Sequence, residues 1–219
     1  MNTDQAIKNR KTEKILATKA LNIPDNNTNL HNTITQLLDL AAHAPFHHVC
    51  NNVHSEKELN SALPWRSYVL DTTNCRKLLE YINVNNIKAG KINNMLAVAN
   101  ALIITTWLPE PMDNKVQNDT SIIYTGNLKN MEHIAAASSA IQNILLGATS
   151  RNIPNYWSSG GVLRNDTLFN FLKIPLNEIL LGALFLFPED SQKLNVTIKH
   201  GALRNKGKEL PTWSKFIEL

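Results

Sequence analysis

Residues 43–66, HAPFHHVCNNVHSEKELNSALPWR, hold four histidines, one cysteine and a Pro-Trp-Arg turn. Before this stretch, apolar residues recur at helical spacing from Ile34 to Ala41, and Pro45 ends the predicted helix. Behind it, SYVL at 67–70 has the pattern of a short strand. Polar rings gathered between a helix and a strand are more typical of a functional site than of a core.

The histidines of this stretch suggest a metal site, and they are His43, His47, His48 and His54. The first two are four residues apart, which would place two imidazoles on one helical face, with Cys50 or His54 completing a ligand set. Pro45 lies between them and disfavours a regular helical turn. No H-E-x-x-H or paired C-x-x-C arrangement accompanies them. A zinc-dependent hydrolase using this cluster and a set of ordinary loop histidines are both open interpretations.

The composition is that of an ordinary globular protein, with 43% hydrophobic and 18% charged residues in 219. We expect one domain that spans residues 1–219. No apolar run approaches the roughly 20 residues that cross a bilayer, and the polar N-terminus does not resemble a signal peptide, so we expect no membrane partner. Two cysteines, Cys50 and Cys75, are typical of free thiols in a reducing compartment. The expected location is cytoplasmic.

The formal net charge is +4, and basic residues cluster at the two ends of the chain. The clusters are Lys8, Arg10, Lys11, Lys14 and Lys19 in front and Lys199, Arg204, Lys206 and Lys208 behind. They lack interleaved aromatic residues and match no nucleic-acid motif, so we expect no nucleic-acid partner. Either these are solvated ends, or both ends meet at one bound phosphate, because a small anion needs only a few convergent donors.

Hydrophobic periodicity predicts helices interspersed with strands. Five helices are predicted, and they begin at or are capped by Thr3, Thr33, Thr73 or Asn74, Glu132 and Leu168. The helix that begins at Glu132 extends to Arg151. Predicted strands cover 68–70, 101–107 and 179–187, predicted loops cover 22–32, 88–94 and 152–162, and 109–120 is a lid-like excursion. The tail at 210–219 is expected to form a short strand or helix. This order predicts an α+β fold in which helices cover a mixed sheet.

The common catalytic fingerprints are missing from the sequence. There is no G-x-S-x-G elbow, no G-x-G-x-x-G turn and no G-x-x-x-x-G-K-[ST] loop. Cys50 and His54 could form a thiol–imidazole pair, but such pairs are made in space and sequence proximity proves little.

Four motifs, in chain order, resemble those of the nitroreductase family of FMN flavoproteins. NRKTEK at 9–14 resembles the N-R-R-S-x-x-R opening, and APFH at 44–47 with PWRSY at 64–68 resembles the A-P-x-H…P-W-x-F element. The predicted helix 132–150 with NIPNYWSSG at 152–160 resembles the long central helix and its G-x-G-x-x-W-x-[ST]-G loop. LGALFLFP at 181–188 resembles the late apolar strand. The resemblance covers nearly the whole chain and is closest to the compact, single-domain branch.

The resemblance implies a nitroreductase-like α+β fold with a central mixed or antiparallel sheet flanked by helices. It also implies an intertwined homodimer with FMN at its interface. The implied activity is an oxidoreductase reaction in which NAD(P)H gives hydride to flavin N5 and a small acceptor, a nitroaromatic or a quinone, takes the electrons. Because the flavin carries this chemistry, neither a catalytic side chain nor a metal is expected.

The implied FMN contacts fall into three groups. The phosphate end would be held by Arg10, Lys11, Thr12 and Lys14 from the front of the chain and by Arg204 and Lys206 from the rear. His43 and His47 of a partner subunit would lie against the ring or the ribityl chain. Backbone N–H groups would approach the ring near N5 and O4 in the segment Trp157, Ser158, Ser159 and Gly160.

Three departures from the family pattern modify these expectations. The spacing from His47 to Pro64 exceeds the family's, so 48–63 is a predicted insertion with no family role. Lys11 stands where the family has a second Arg, which keeps the charge but loses the planar fork. Ser158 stands where this branch often has Arg. A non-catalytic flavin- or nucleotide-binding protein is therefore the alternative function.

Overall fold

The structure is a computed structural model that describes residues 1–22, 27–112, 124–204, 206–209 and 212–218. The helices are α1 Thr3–Asn9, α2 Asn27–Ala42, α3 Thr72–Val84, α4 Lys91–Leu96, α5 Leu128–Ser150 and α6 Asp166–Leu172. The strands are β1 Glu13–Leu16, β2 Trp65–Leu70, β3 Ala101–Trp107, β4 Asn155–Ser158, β5 Ile179–Leu186 and β6 Thr197–His200. The predicted α+β class is confirmed.

The central sheet has the order β2-β3-β5-β4, and every pair in it is antiparallel. All seven residues of β3 are buried, because this strand lies inside the sheet and is covered on both faces. The predicted strands at 101–107 and 179–187 are therefore present as β3 and β5. Of the mixed or antiparallel sheet that the resemblance implies, the described residues form the antiparallel one, since no parallel pair occurs among them.

Helices cover both faces of the sheet, and β3 contributes to both cores because successive side chains point to opposite faces. On one face, Ile103 packs in a core with residues of α2 and α5 such as Leu37 and Ile141. On the other face, Leu102 and Ile104 belong to a core built with α3, α4 and α6.

A second, two-stranded sheet joins the two ends of the chain. β1 pairs antiparallel with β6, so that Glu13 lies opposite His200 and Leu16 lies opposite Thr197. Ile15 of β1 is buried in the same core as α3 and α4, which attaches this ribbon to the main body of the protein. Neither strand is among the predicted elements, because each has only four residues and the burial pattern of each is incomplete.

Several predicted boundaries are corrected by the structure. α2 begins at Asn27 and not at Thr33, because its first turns are polar and show no hydrophobic periodicity. α3 is capped by Asp71, whose Oδ1 accepts the N–H of Asn74 at 2.8 Å. The predicted loop 88–94 contains the start of α4, whose buried face includes Ile92 and Met95. β4 lies within the predicted loop 152–162.

Two other expectations concern segments that are only partly described. Residues 113–120 of the lid-like excursion 109–120 lie outside the described residues. In the described part of the tail, 212–218, the chain forms neither an α-helix nor a strand. Among the residues that the structure describes, no helix combines the length and apolarity required to cross a membrane.

The segment 48–63, which is expected to be an insertion, is fastened to the sheet by buried polar groups. The guanidinium of Arg66, at the start of β2, donates hydrogen bonds to the carbonyls of Leu63 at 2.8 Å and Ser61 at 3.0 Å. The His54 ring is buried and bonds through Nε2 to the carbonyl of Pro109 at 2.7 Å. The segment is therefore a folded part of the protein, although its status as an insertion stays a prediction.

Glu178, directly before β5, is a buried carboxylate that accepts two hydrogen bonds from side chains of β2 and β3. The Tyr68 hydroxyl donates to Oε1 at 2.8 Å, and the Thr106 hydroxyl donates to Oε2 at 2.5 Å. Burial raises the pKa of Glu178 above its ordinary value of 4.5, while these hydrogen bonds and the charge of Arg66 partly oppose the rise.

This raised pKa predicts a pH dependence of stability. The folded state holds the Glu178 proton more strongly than the unfolded state, so the contribution is complete below pH 4.5 and is lost as pH rises through the folded pKa. Glu178→Gln, which cannot ionise, should show a smaller fall in the free energy of unfolding from that pH to neutrality, measured by urea denaturation. The exposed Glu189→Gln is the control and should keep the wild-type slope. Equal slopes for Glu178→Gln and wild type would contradict the assignment.

Trp157 of β4 lies against Gly182 of β5, where there is no room for a side chain. A Cβ at Gly182 would contact the indole Nε1, lie 2.9 Å from Cδ1 of Trp157 and lie 3.0 Å from Cδ1 of Ile141 on α5. The glycine thus permits the close approach of the indole to the sheet.

Gly182→Ala should therefore displace Trp157 and lower the free energy of unfolding by about 1–3 kcal/mol, the usual cost of overpacking. Urea unfolding measures this loss. Gly126→Ala is the matched control, because a Cβ there would meet no atom within 4 Å. Equal losses of unfolding free energy in the two variants would contradict the close packing of Trp157 on Gly182.

Candidate functional site

The pairing of β1 with β6 brings the basic clusters of both chain ends to one cavity of about 760 Å³. The residues around it come from the front of the chain, from β4 and from the segment after β6. They are Arg10, Lys11, Thr12, Lys14, Tyr156, Lys199, His200, Gly201, Ala202, Leu203 and Arg204. We call this the two-end cavity. Five of the twelve predicted cofactor contacts line it: Arg10, Lys11, Thr12, Lys14 and Arg204.

Positive charge around the two-end cavity is largely uncompensated. In the described part of the chain, Lys11 is the only lysine or arginine of the cavity with a carboxylate partner, Glu13 at 3.0 Å. Burial, and then the nearby charge of Arg204, lower the pKa of Arg10. The Nε of Arg10 is buried without a hydrogen-bond partner among the described residues. Such an arrangement favours an anion, which would supply the missing acceptor and reduce the repulsion.

Tyr156 connects this cavity to the next part of β4. The ammonium of Lys14 lies 4.4 Å from the centre of the Tyr156 ring, a cation–π contact that holds the lysine over the strand. β4 continues through Trp157 and Ser158 into the turn at Ser159 and Gly160, so the strand leads from the two-end cavity to the contacts predicted near the flavin ring at 157–160.

The turn after β4 is fixed by its own hydrogen bonds and backbone geometry. The Ser158 hydroxyl accepts the N–H of Gly160 at 3.2 Å, and the Ser159 carbonyl accepts Nε–H of Arg164 at 2.6 Å. Gly160 has φ +100°, a conformation that other residues rarely adopt. The turn is therefore rigidly placed beside β5, with Ser159 exposed.

Other predicted contacts do not reach the two-end cavity within one chain. His43 and His47 are exposed near the end of α2 and do not line it, as expected if they act on a partner subunit. Lys206 is exposed and also lies outside the lining residues. Arg204 lines the cavity, but its terminal nitrogens donate to backbone carbonyls at the end of α1.

The histidines of 43–66 do not form a metal cluster. His54 is buried against Pro109, whereas Nε2 of His48 lies 3.2 Å from Oε2 of Glu132 on α5. No group of three or more His, Cys, Asp and Glu side chains suited to a metal ion occurs within the described ranges. The geometry therefore gives the zinc-hydrolase alternative no support.

Six residues of the two-end cavity are missing from the predicted contacts: Tyr156, Lys199, His200, Gly201, Ala202 and Leu203. The signal that could have found Lys199, His200 and Gly201 is the run VTIKHG at 196–201, in which β-branched residues favour a strand just before a basic pair. Tyr156 could only be found once β4 was recognised inside the predicted loop.

Comparison with known proteins finds solved structures of similar fold. No protein-family model matches the sequence, and no curated protein matches it significantly. A nitroreductase-like family protein from Bacillus cereus superposes on 100% of this chain and 97% of its own, with a TM-score of 0.62 at 19% identity. The nitroreductase CinD from Lactococcus lactis, in complex with nicotinic acid, matches 86% of this chain and 90% of its own, with a TM-score of 0.56 at 12% identity.

A third solved structure, a candidate nitroreductase from Desulfovibrio desulfuricans in complex with FMN, matches 85% of each chain with a TM-score of 0.51 at 18% identity. These likenesses extend over most of each molecule, and they agree with the resemblance carried by the four sequence motifs. The chain described here has the nitroreductase-like fold.

Proposed function

We propose that this protein is an FMN-dependent oxidoreductase that passes hydride from NAD(P)H to a small acceptor such as a nitroaromatic or a quinone. The observation that carries the proposal is the two-end cavity, where Arg10, Lys11, Thr12 and Lys14 face residues 199–204 across the β1–β6 ribbon. A flavin mononucleotide offers one phosphate at the end of a flexible chain, which suits a cationic cavity at the edge of the protein.

The donors around the cavity fit a phosphate. The unpartnered Nε of Arg10 is a charge-assisted donor, the Thr12 hydroxyl is a neutral one, and Lys14 adds a point charge. A phosphate carries about −1.5 to −2 charge at neutral pH, so it would offset the repulsion among these groups.

The turn after β4 fits the other end of the same ligand. Ser158, Ser159 and Gly160 are small, and the Trp157 indole lies against Gly182, which would leave room for a planar ring to approach the backbone of the turn. Backbone N–H groups there would stabilise negative charge near N5 and O4, and that of Gly160 would exchange its bond to the Ser158 hydroxyl for one to the ring.

Bound FMN would supply the redox chemistry, accepting hydride at N5 from the nicotinamide and returning it to the acceptor. The chain's own task is then to bind, orient and shield, which agrees with the lack of a recognisable nucleophile in the sequence. Two solved structures of the same fold support the two ligands: one contains FMN, and the other contains nicotinic acid, which is chemically close to the nicotinamide ring.

We assign the active form to a homodimer in which His43 and His47 of one subunit contact the flavin of the other. The exposed position of both histidines supports this arrangement. The tail adds a second argument, because Trp213, Phe216 and Ile217 are 66%, 98% and 70% exposed, and such apolar side chains are normally covered. The free thiols Cys50 and Cys75 support a cytoplasmic location.

The experiment is to purify the protein, add FMN, remove the excess and record the visible spectrum before and after anaerobic addition of NADH or NADPH. We expect a yellow complex with one FMN per chain that bleaches with at least one nucleotide and recovers its colour with a quinone. Light scattering on the same sample should give twice the chain mass of 24.5 kDa.

Each contrary result addresses a different part of the proposal. A colourless protein that retains no FMN would refute it altogether. Retained FMN that neither nucleotide reduces would favour the non-catalytic flavin-binding alternative. A monomer with full activity would remove the role given to the partner's histidines.

A further inference from the structure

Arg204 is engaged with the protein backbone at the end of α1. Its Nη1 donates to the carbonyl of Arg10 at 2.6 Å and to that of Asn9 at 3.5 Å, and its Nη2 donates to the carbonyl of Lys8. These three consecutive carbonyls are among the last four of the helix, which have no partner inside it. The guanidinium is therefore a C-terminal cap, placed where a cation also interacts favourably with the helix dipole.

α1 needs such a cap because it is too short to be stable alone. It has seven residues, whereas isolated helices below about 12–15 residues are marginal in water. Ala6 is its one buried residue. At the other end, Asn2 and Gln5 form a capping box, in which each side chain accepts the backbone N–H of the other residue. The helix is thus capped at both ends, and it also packs against α5.

Arg10 directly follows the last turn of α1, and this helix places it at the two-end cavity. Its backbone N–H donates to the carbonyl of Ala6 at 2.9 Å, and its own carbonyl accepts Nη1–H of Arg204 at 2.6 Å. The position of the Arg10 side chain consequently depends on the cap.

We propose that Arg204 contributes to binding of the ligand phosphate mainly as a positioning residue, which holds Arg10 in place. This proposal rests on the proposed FMN function, and it differs from the direct phosphate contact that the family resemblance implies for Arg204. Three of the five guanidinium N–H groups already donate to carbonyls, so turning these three to a phosphate would uncap α1 and release Arg10.

The first test is a double-mutant cycle on FMN affinity, measured by fluorescence quenching with Arg10→Ala, Arg204→Ala and the double variant. If Arg204 acts through Arg10, each single variant should weaken FMN binding by about 10–100-fold, since a hydrogen bond to a charged group contributes about 1.5–3 kcal/mol. The double variant should then be no weaker than Arg10→Ala alone. Two direct phosphate contacts would instead give losses that multiply.

The variant Arg204→Lys further distinguishes a positioning role of Arg204 from direct phosphate binding. A lysine keeps the charge and can bind a phosphate, but one ammonium cannot span three carbonyls as the planar fork does. The proposal predicts that Arg204→Lys loses most of the affinity that Arg204→Ala loses. Near-complete rescue by lysine would overturn it. Lys208→Ala removes one charge from the same segment and is the control that should bind FMN like the wild type.

The second test does not depend on FMN. Hydrogen exchange of the ligand-free protein should show the Arg10 amide exchanging at least about tenfold faster in Arg204→Ala, because α1 loses its cap, and unchanged in Lys208→Ala. Unchanged protection in Arg204→Ala would refute the positioning role. A wild-type protein that binds no FMN, with the exchange result as expected, would refute the proposed function and leave the capping role of Arg204 intact.

Discussion

The antiparallel pairing of β1 with β6 is the interaction on which the candidate site depends. It connects residues 13–16 with residues 197–200 and so brings the two ends of a 219-residue chain together. Closing so long a loop costs little more than closing a short one, because the entropy of closure grows only with the logarithm of length. Ile15 fastens the ribbon to the core, and Arg204 fastens the segment beyond it to α1. Without this pairing, the two basic clusters would be separate solvated ends.

The same pairing concentrates like charges. Lys14 lies directly opposite Lys199 in the ribbon, an arrangement that destabilises an antiparallel pair. Arg10 and Arg204 lie close enough that the second lowers the pKa of the first. The cation–π contact of Lys14 with Tyr156 and the carbonyls that accept Arg204 offset part of this repulsion. The positive charge that remains uncompensated favours an anionic group in the two-end cavity. A phosphate has the required charge and hydrogen-bond acceptors.

The elements predictable from sequence are those with strong periodicity. The buried runs that became β3 and β5 and the long apolar stripe of α5 stand out because each buries a whole strand or a whole helical face. The convergence of the chain ends could be proposed from the basic residues but not located, since β1 and β6 are four-residue strands whose pairing is decided by tertiary contacts. Arg204 shows the limit most clearly: its charge is visible in the sequence, whereas its carbonyl acceptors exist only in the fold. The metal site suggested by the histidines of 43–66 has the same origin. Sequence proximity does not show that His54 bonds to Pro109 and that His48 lies beside Glu132.

The central claim is that the two ends of the chain together hold the phosphate of a flavin nucleotide. The most direct measurement compares the dissociation constants of FMN and riboflavin, which share the ring and the ribityl chain and differ only in that phosphate. The account predicts that FMN binds at least about 100-fold more tightly, as expected for two or more charge-assisted hydrogen bonds, and that added salt reduces this preference. Equal affinities for the two ligands would contradict the account, because the cavity formed by β1, β6 and α1 would then contribute nothing to flavin binding.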